Sequence, residues 1–142
     1  MPEREREITL RFLAEPTDVN FGGKVHGGAV MKWIDQAGYA CAVGWSGQYC
    51  VTVYVGGIRF HRPVLIGNMV EVSAGDPKEG VYTKTTQCII VFVAVDDGGT
   101  PVEVDGWDPE SEQDVALEQY AKRLMELRKE TEKEIGPHGV VL

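Results

Sequence analysis

Apolar and polar positions follow two distinct rhythms along this chain, one typical of strands and one typical of helices. Residues 8–13 alternate with a period of two, which predicts a half-buried strand. From about residue 25 to residue 45, apolar side chains recur every three or four positions, which predicts a helix with one buried stripe. Because this stretch is rich in alanine and glycine, other elements should be able to approach the helix closely and wrap around it.

Strands dominate the region after this helix. Residues 49–62 are predicted to form one long strand, and the pair Gly56 and Gly57 predicts a bulge or bend within it. Residues 69–73 alternate again, which predicts a short strand. Residues 83–95 are apolar on both faces and predict a central strand that is covered on both sides.

The last predicted element is a helix at about residues 109–130. Its acidic residues lie near the start and its basic residues further on, which suits the helix macrodipole. Residues 75–80 have the composition of a loop. Together the elements indicate an α+β protein that forms a single domain over residues 1–142.

Composition and charge argue against several classes of function. With 142 residues, of which 43% are hydrophobic and 25% charged, the chain fits one soluble globular domain. A net charge of −8 argues against a nucleic-acid partner, because phosphate binding needs an excess of basic groups. No apolar run reaches the roughly 18 residues of a membrane span, and the N-terminus is charged where a signal peptide would be apolar. We therefore expect a cytoplasmic protein without a membrane partner.

Three cysteines, Cys41, Cys50 and Cys88, are scattered along the chain. They lack the C-x-x-C spacing that is typical of zinc and redox sites. We interpret all three as buried thiols, and we expect no metal site.

A polar, glycine-dense run over residues 18–28 leads directly into the first helix, and Asp35 lies about two turns into that helix. Glycine lets backbone N–H groups approach a ligand closely, and the positive end of the helix dipole points to the same place. This combination indicates an active site. Taken alone, it would also suit a phosphate-binding loop.

Three motifs in the right order connect this run to a known family. Residues 58–64 and residues 91–96 form the second and third motifs. The chain resembles the acyl-CoA hydrolase branch of the hotdog-fold acyl-CoA thioesterases from about residue 6 to residue 127. The resemblance implies a hotdog fold, in which an antiparallel sheet wraps a long central helix, followed here by a C-terminal helix. Eight residues fill the family's first motif in register: Asp18, Asn20, Gly23, Gly27, Gly28, Met31, Trp33 and Asp35.

One region departs from the family pattern. Between Ala74 and Gly75 the chain passes straight into a loop, where the family has a further strand and a hairpin turn. The sheet is therefore expected to be short of about one strand. Either the strand pairing around residues 74–83 is rearranged, or the protein is a deletion form with a thinned sheet.

Thioester hydrolysis needs an activated water molecule and a place for negative charge on the carbonyl oxygen. With the motif in register, Asp35 is expected to be the general base, and Asn20 to orient the water or the thioester. The backbone N–H groups of Gly27 and Gly28 are the candidates for the oxyanion hole. Each of these assignments has a structural alternative. Asp35 would be a carboxylate merely exposed on its helix, and Asn20 would cap a loop. The two glycines would only let strands pass close to the helix.

Coenzyme A carries phosphate groups, which an acidic protein must bind with a local cationic patch. Arg59, His61 and Arg62 supply such a patch, and alternation along a strand would place Arg59 and His61 on one face. The alternative is that these charges only protect a sheet edge from aggregation. His26 is a further candidate for substrate contact, or it is structural.

We therefore expect an acyl-CoA thioesterase of fatty acid metabolism that releases a carboxylic acid and CoA without a further cofactor. In hotdog enzymes of this type the site lies between subunits, which implies that Asn20 of one copy faces Asp35 of another. A homodimer is then the minimum, and the family often forms trimers of dimers. The alternative is a non-catalytic acyl-CoA-binding hotdog protein or an inactive deletion form. A hotdog hydratase is disfavoured, because such enzymes pair an aspartate with a histidine in a different local pattern.

Overall fold

The computed structural model describes residues 4–75 and 84–138, the last three of them by their backbone alone. The chain divides into two compact units, Met1–Asp105 and Gly106–Leu142. The single-domain organisation expected over the whole length stays a prediction. In chain order the elements are strand β1 (Ile8–Leu13), helix α1 (Gly27–Ser46), strands β2 (Tyr49–Phe60), β3 (Met69–Ala74) and β4 (Thr86–Val95), and helix α2 (Glu112–His138).

The four strands of the first unit form two antiparallel pairs. β1 pairs with β3, with Ile8 opposite Ala74 at one end of the ladder. β2 pairs with β4, with Tyr49 opposite Val95. Helix α1 contacts all four strands. The expected arrangement of antiparallel strands around one long helix is therefore confirmed.

The buried stripe of α1 explains why the helix lies against the strands. Val30, Trp33 and Ala37 are buried on it at helical spacing. The ring of Trp33 stacks on Phe12 of β1, with 5.6 Å between the ring centroids. This packing fixes the start of α1, and with it the residues just before the helix. The core cluster around this contact consists of Ala14, Val25, Val30, Trp33 and Val64.

Strand β2 is irregular at two places. Its register against β4 shifts between Gly56 and Arg59, which confirms the bulge expected at the glycine pair. Gly57 has a φ of 61°, a conformation that glycine adopts readily and other residues rarely do. A second shift lies between Thr52 and Tyr54 and was not predicted. The strand ends at Phe60, two residues earlier than its sequence pattern indicated.

The prediction for β4 is wrong in one respect. Among the described residues, β4 has β2 along one edge and only a single bridge, between Val95 and Pro101, along the other. Its residues from Cys88 to Val93 are half-buried rather than covered on both faces. An apolar pattern on both faces reports what a strand can bury, and among the described residues the packing of α1 leaves most of β4 only half-buried.

The connection from β3 to β4 does not close a hairpin. β3 pairs with β1, whereas β4 pairs with β2, so the connection crosses from one pair to the other. Strands β3 and β4 are therefore not antiparallel neighbours, and the expected loss of about one strand relative to the family stays a prediction. Most of the loop expected at residues 75–80 lies outside the described residues.

Helix α2 begins slightly later and ends later than its sequence pattern indicated. The Ser111 hydroxyl accepts the N–H of Asp114 at 3.0 Å, which caps the first turn. Past residue 130 the helix continues to His138, and pairs four residues apart, such as Arg128 with Glu132, lie along it. No helix among the described residues combines the length and the apolar character that crossing a membrane requires.

Candidate active site

The loop before α1 is braced around one side chain. The Asn20 carboxamide oxygen accepts the N–H of Gly22 at 2.9 Å and that of Lys24 at 3.3 Å. The Asn20 N–H donates to the Lys24 carbonyl oxygen at 2.8 Å. Gly23, at the turn, has a φ of 76°. The oxygen of Asn20 thus caps the loop, while its NH₂ group makes no hydrogen bond to the residues that the structure describes.

The N-terminus of α1 presents free backbone donors. His26 is the N-cap, and its N–H donates to the Asp18 carbonyl oxygen at 2.8 Å. The N–H groups of Gly27 and Gly28 lie in the first turn, so they have no acceptor within the helix. A Cβ atom on Gly27 would lie 3.4 Å from the ring of Phe60, whereas one on Gly28 would meet no atom within 4 Å. The side of the helix at Gly28 is therefore open.

A cleft of about 320 Å³ opens beside this helix end. Its walls combine valine and phenylalanine side chains with three basic groups, Lys24, His61 and Arg62. No carboxylate is found among the described residues that line it. In a protein with a net charge of −8, this cleft is a local concentration of basic side chains. The remaining lining residues are Asn20, Val25, Gly27, Val30, Phe60, Pro63, Val64 and Thr86.

Asp35 lies on α1 and is held by a partner that the sequence did not reveal. The hydroxyl of Thr52 on β2 donates to the Asp35 Oδ1 at 2.8 Å. Burial raises the pKa of the Cys88 thiol on β4, and the negative charge of Asp35 raises it further. The carboxylate is thus placed between the helix and the β2–β4 pair. All three cysteines were predicted to be buried: Cys50 is, whereas the prediction is wrong for Cys41 and Cys88, which are half-buried.

Asp35 and the cleft are separated along the helix. Asp35 lies eight positions after Gly27, which corresponds to about 12 Å along the axis. Asp35 is not part of the cleft lining. An oxyanion donor lies about 3 Å from the reacting oxygen, and a general base must be within one water molecule of the same carbonyl group. Along the helix axis, Gly27 and Asp35 of one chain are therefore farther apart than this reach.

The structure assembles part of the predicted site. It brings Asn20, Gly27, His61 and Arg62 to one cleft, and it leaves Gly28, His26, Asp35 and Arg59 outside the lining. Arg59 lies on β2 opposite Gln87. Because β2 ends at Phe60, the alternation that was expected to place Arg59 and His61 on one face does not extend to His61.

Three residues of this region were not identified from the sequence. Lys24 lies within the glycine-dense run, and its positive charge in an acidic chain was a signal for it. Phe60 lies between two basic residues, and nothing in its sequence context indicates a functional role. Thr52 is an ordinary strand residue, and only the packing of α1 on β2 reveals its contact with Asp35.

Comparison with known proteins places the chain in a family. A family model described as the thioesterase superfamily matches residues 22–75. The acyl-CoA thioester hydrolase YciA of Salmonella typhimurium is 32% identical over 116 residues, which cover 67% of this chain and 87% of that protein. The chain belongs to the acyl-CoA thioester hydrolase family.

Solved structures of family members show the same fold. An apo-hexameric acyl-CoA thioesterase superposes with a TM-score of 0.79 at 24% identity, covering 89% of this chain and 92% of the other. A hexameric hotdog-fold thioesterase of Campylobacter jejuni superposes with a TM-score of 0.56 at 25% identity, covering 68% and 88%. The hotdog fold expected of this acyl-CoA thioester hydrolase family member is thereby confirmed.

The acyl-CoA hydrolase of Staphylococcus aureus is similar too, and one of its variants superposes with a TM-score of 0.73 at 21% identity, covering 96% of this chain and 95% of the other. Three of its structures each carry one replacement by alanine, of an asparagine, an aspartate or a threonine. The sequence intervals between these three positions equal those between Asn20, Asp35 and Thr52 in this family member.

Proposed function

We propose that this protein hydrolyses the thioester of acyl-CoA to a carboxylic acid and free CoA, at a site shared by two copies of the chain. The cleft with Asn20 and the helix N-terminus comes from one copy, and Asp35 comes from the other. The observation that carries this proposal is the separation of about 12 Å along α1 between Gly27 and Asp35. Two copies facing each other would remove that separation. The hexameric relatives support an oligomer of at least a dimer.

Asp35 acts as general base in this proposal. Its carboxylate takes a proton from a water molecule, whose oxygen forms a bond to the thioester carbon. Negative charge then develops on the carbonyl oxygen, which the N–H groups of Gly27 and Gly28 stabilise at the positive end of α1. When the carbonyl bond re-forms, the carbon–sulfur bond breaks, and the departing sulfur takes the proton from Asp35. The chemistry needs a carboxylate, two amide donors and water.

Thr52 and Asn20 position the reactants. The hydroxyl of Thr52 occupies the Oδ1 of Asp35 and so leaves Oδ2 for the water molecule. The NH₂ group of Asn20 is directed to the thioester or the water, because its oxygen is already engaged in the loop. The Staphylococcus aureus enzyme was studied with alanine at an asparagine, an aspartate and a threonine that have the same spacing as Asn20, Asp35 and Thr52. This correspondence supports these assignments.

The basic groups of the cleft bind the phosphates of coenzyme A. Lys24, His61 and Arg62 lie together there without a carboxylate among the described lining residues. Arg59, near the end of β2, and His26, at the helix cap, add contacts at the margin of the cleft. A structure of the Staphylococcus aureus relative was solved with butyryl coenzyme A and coenzyme A, which supports this ligand class.

An activity assay with a panel of acyl-CoAs, monitored by release of free thiol, tests the proposal. Asp35→Asn should lower kcat by about 10²- to 10⁴-fold, the usual contribution of a general base. The matched control is Asp97→Asn, the same change at an exposed carboxylate in the turn after β4, and it should retain full activity. Thermal unfolding should show that both variants remain folded. Turnover by Asp35→Asn at the wild-type rate would remove Asp35 from the mechanism.

A non-catalytic acyl-CoA-binding protein is the second candidate. It is favoured by the fact that the cleft of a single chain contains cationic groups but no carboxylate among its described lining residues. Calorimetry with acyl-CoA distinguishes the two functions. Binding without thiol release in any member of the panel would favour the binding protein, including an inactive deletion form.

A further inference from the structure

The loop that carries Asn20 also holds an aromatic ring in solvent. Phe21 has a relative exposure of 114%, the highest among the large apolar residues that the structure describes. On both sides of it the loop is braced, by the Asn20–Lys24 backbone hydrogen bond of 2.8 Å and by donation from Gly23 N–H to the Asn20 carbonyl oxygen at 3.0 Å. The ring is therefore presented by a fixed loop. Such an aromatic side chain loses little conformational entropy when a partner covers it.

A matching apolar surface surrounds Asp35. Met31 and Tyr39 lie one turn before and one turn after Asp35 on the same face of α1, and they are 39% and 38% exposed. Tyr39 also makes an edge contact with Tyr49 of β2, with 6.3 Å between the ring centroids. We refer to Met31, Tyr39 and Tyr49 as the Asp35 rim.

We infer that Phe21 of one copy packs on the Asp35 rim of a second copy and anchors the loop that delivers Asn20 to the shared site. This inference rests on the proposed function, which places Asn20 of one copy next to Asp35 of the other. The Cα atoms of Asn20 and Phe21 are about 3.8 Å apart. Met31 and Tyr39 lie about 6 Å from Asp35 along the helix axis. These distances put the ring of Phe21 within reach of the rim.

The partner is a second copy of this chain because the loop and the rim belong to the same site. In a dimer with two-fold symmetry the contact forms twice, since each copy offers its loop and its rim. An aromatic anchor buried at the centre of an interface typically carries a large share of the binding energy.

Photo-crosslinking of the full-length protein tests the contact. Phe21 is replaced by p-benzoylphenylalanine, the protein is irradiated, and the crosslinked peptides are identified by mass spectrometry. We expect a crosslink between two chains whose attachment point lies on Met31, Tyr39 or Tyr49. The control places the same probe at Tyr120, an exposed aromatic residue of α2, and should give no crosslink to these residues. A crosslink to any other surface, or none at all, would overturn the inference.

A substitution provides a second measurement. Phe21→Ser should raise the dissociation constant of the dimer by about tenfold or more, because a large apolar contact is lost at each loop. Val104→Ser, at a similarly apolar and exposed position outside the loop and rim, should leave the dissociation constant unchanged. Analytical ultracentrifugation over a dilution series measures both. An unchanged dissociation constant for Phe21→Ser would contradict the role of the ring as an anchor.

These outcomes separate the inference from the proposed function. A crosslink from position 21 to the rim in a protein that releases no thiol would support the contact and contradict the thioesterase. Thiol release by a protein that crosslinks elsewhere would support the enzyme and contradict the contact.

Discussion

At the scale of single residues, Thr52 determines how Asp35 is presented. Its hydroxyl donates to one carboxylate oxygen at 2.8 Å and fixes the orientation of the carboxylate on α1. Hydrogen bonds to charged groups contribute about 1.5 to 3 kcal/mol. The contact is thus strong enough to matter for the proposed role of Asp35, in which the orientation of the carboxylate determines which water molecule it can deprotonate.

Thr52→Val removes this hydroxyl while the side-chain shape is kept. We expect kcat to fall by about 10- to 100-fold, because the Asp35 carboxylate can then rotate away from the water molecule. Steady-state kinetics with the best acyl-CoA of the panel provides the measurement. Thr52→Ser, which keeps the hydroxyl, should stay within about threefold of the wild type. Equal losses in the two variants would assign the effect to packing.

Gly28 offers a test of the proposed oxyanion hole. A methyl group added there meets no protein atom within 4 Å, so Gly28→Ala should not disturb the fold. Alanine is favoured over glycine in a helix by up to about 1 kcal/mol, so the unfolding temperature should be equal or higher. The activity should nevertheless fall at least about tenfold, because the methyl group occupies the space of the thioester.

The matched control for Gly28 is Gly44→Ala. Gly44 lies near the other end of α1 and also has open space at the position of a Cβ. This variant should gain similar stability and keep full activity. If Gly28→Ala kept full activity as well, substrate would not approach this side of the helix.

The residues of the site differ in how far the sequence could predict them. The motif gave Asn20, Gly27 and Asp35 as candidates, and the structure brings Asn20 and Gly27 to one cleft while Asp35 lies outside its lining. Thr52 could not be found in this way, since its role depends on which strand residue faces the helix. Asn20 shows the converse, because its type suited both catalysis and loop capping, and only the hydrogen bonds of its oxygen show that it caps the loop.

At the scale of elements, the packing of α1 on β4 brings the Asp35 charge close enough to affect Cys88. Burial is the larger cause of the raised pKa of this thiol, and the carboxylate is the second. Cys41, on the same helix, also has a raised pKa, from burial and from the charges of Glu5 and Glu7. The pKa of Cys88 is therefore sensitive to Asp35, whereas that of Cys41 is sensitive to Glu5 and Glu7.

Alkylation of these thiols checks the placement of Asp35. A raised pKa lowers the thiolate fraction at a given pH, so both cysteines should react slowly at neutral pH and faster as the pH rises. In Asp35→Asn the pKa of Cys88 should fall, and its alkylation at pH 8 should accelerate. Cys41 should be unaffected and serves as the internal control. Mass spectrometry of the alkylated peptides resolves the two rates, and equal rates for Cys88 in both proteins would place Asp35 elsewhere.

The elements themselves were predicted best where the pattern is local. β1 ends where its alternation ends, and α1 differs from its prediction by only a few residues. The surroundings of β4 were predicted wrongly, because an apolar strand has the same pattern whether its faces are covered by its own chain or by another. The end of α2 was missed because its last turns are polar and carry no apolar signal.

At the scale of the whole molecule, the shared site predicts that two inactive variants restore each other. Asp35→Asn keeps Asn20, and Asn20→Ala keeps Asp35, so a mixed dimer contains one complete site. Refolding an equal mixture should recover about one quarter of the wild-type activity, since half of the dimers are mixed and each has one working site of two. Thiol release measures the recovery. Activity no higher than the mean of the two parents would show that each chain carries its own complete site.

The pairing of β1 with β3 also affects how the protein is made. Arg11 and Glu71, which contact each other across this ladder, are 60 residues apart in the chain. At a synthesis rate of about 5 to 20 residues per second, β1 is synthesised roughly 3 to 12 seconds before β3. Helix α1 lies between them and forms in microseconds. β1 therefore has no partner strand until β3 has been synthesised. During this interval the unpaired edge of β1 is open to misassociation.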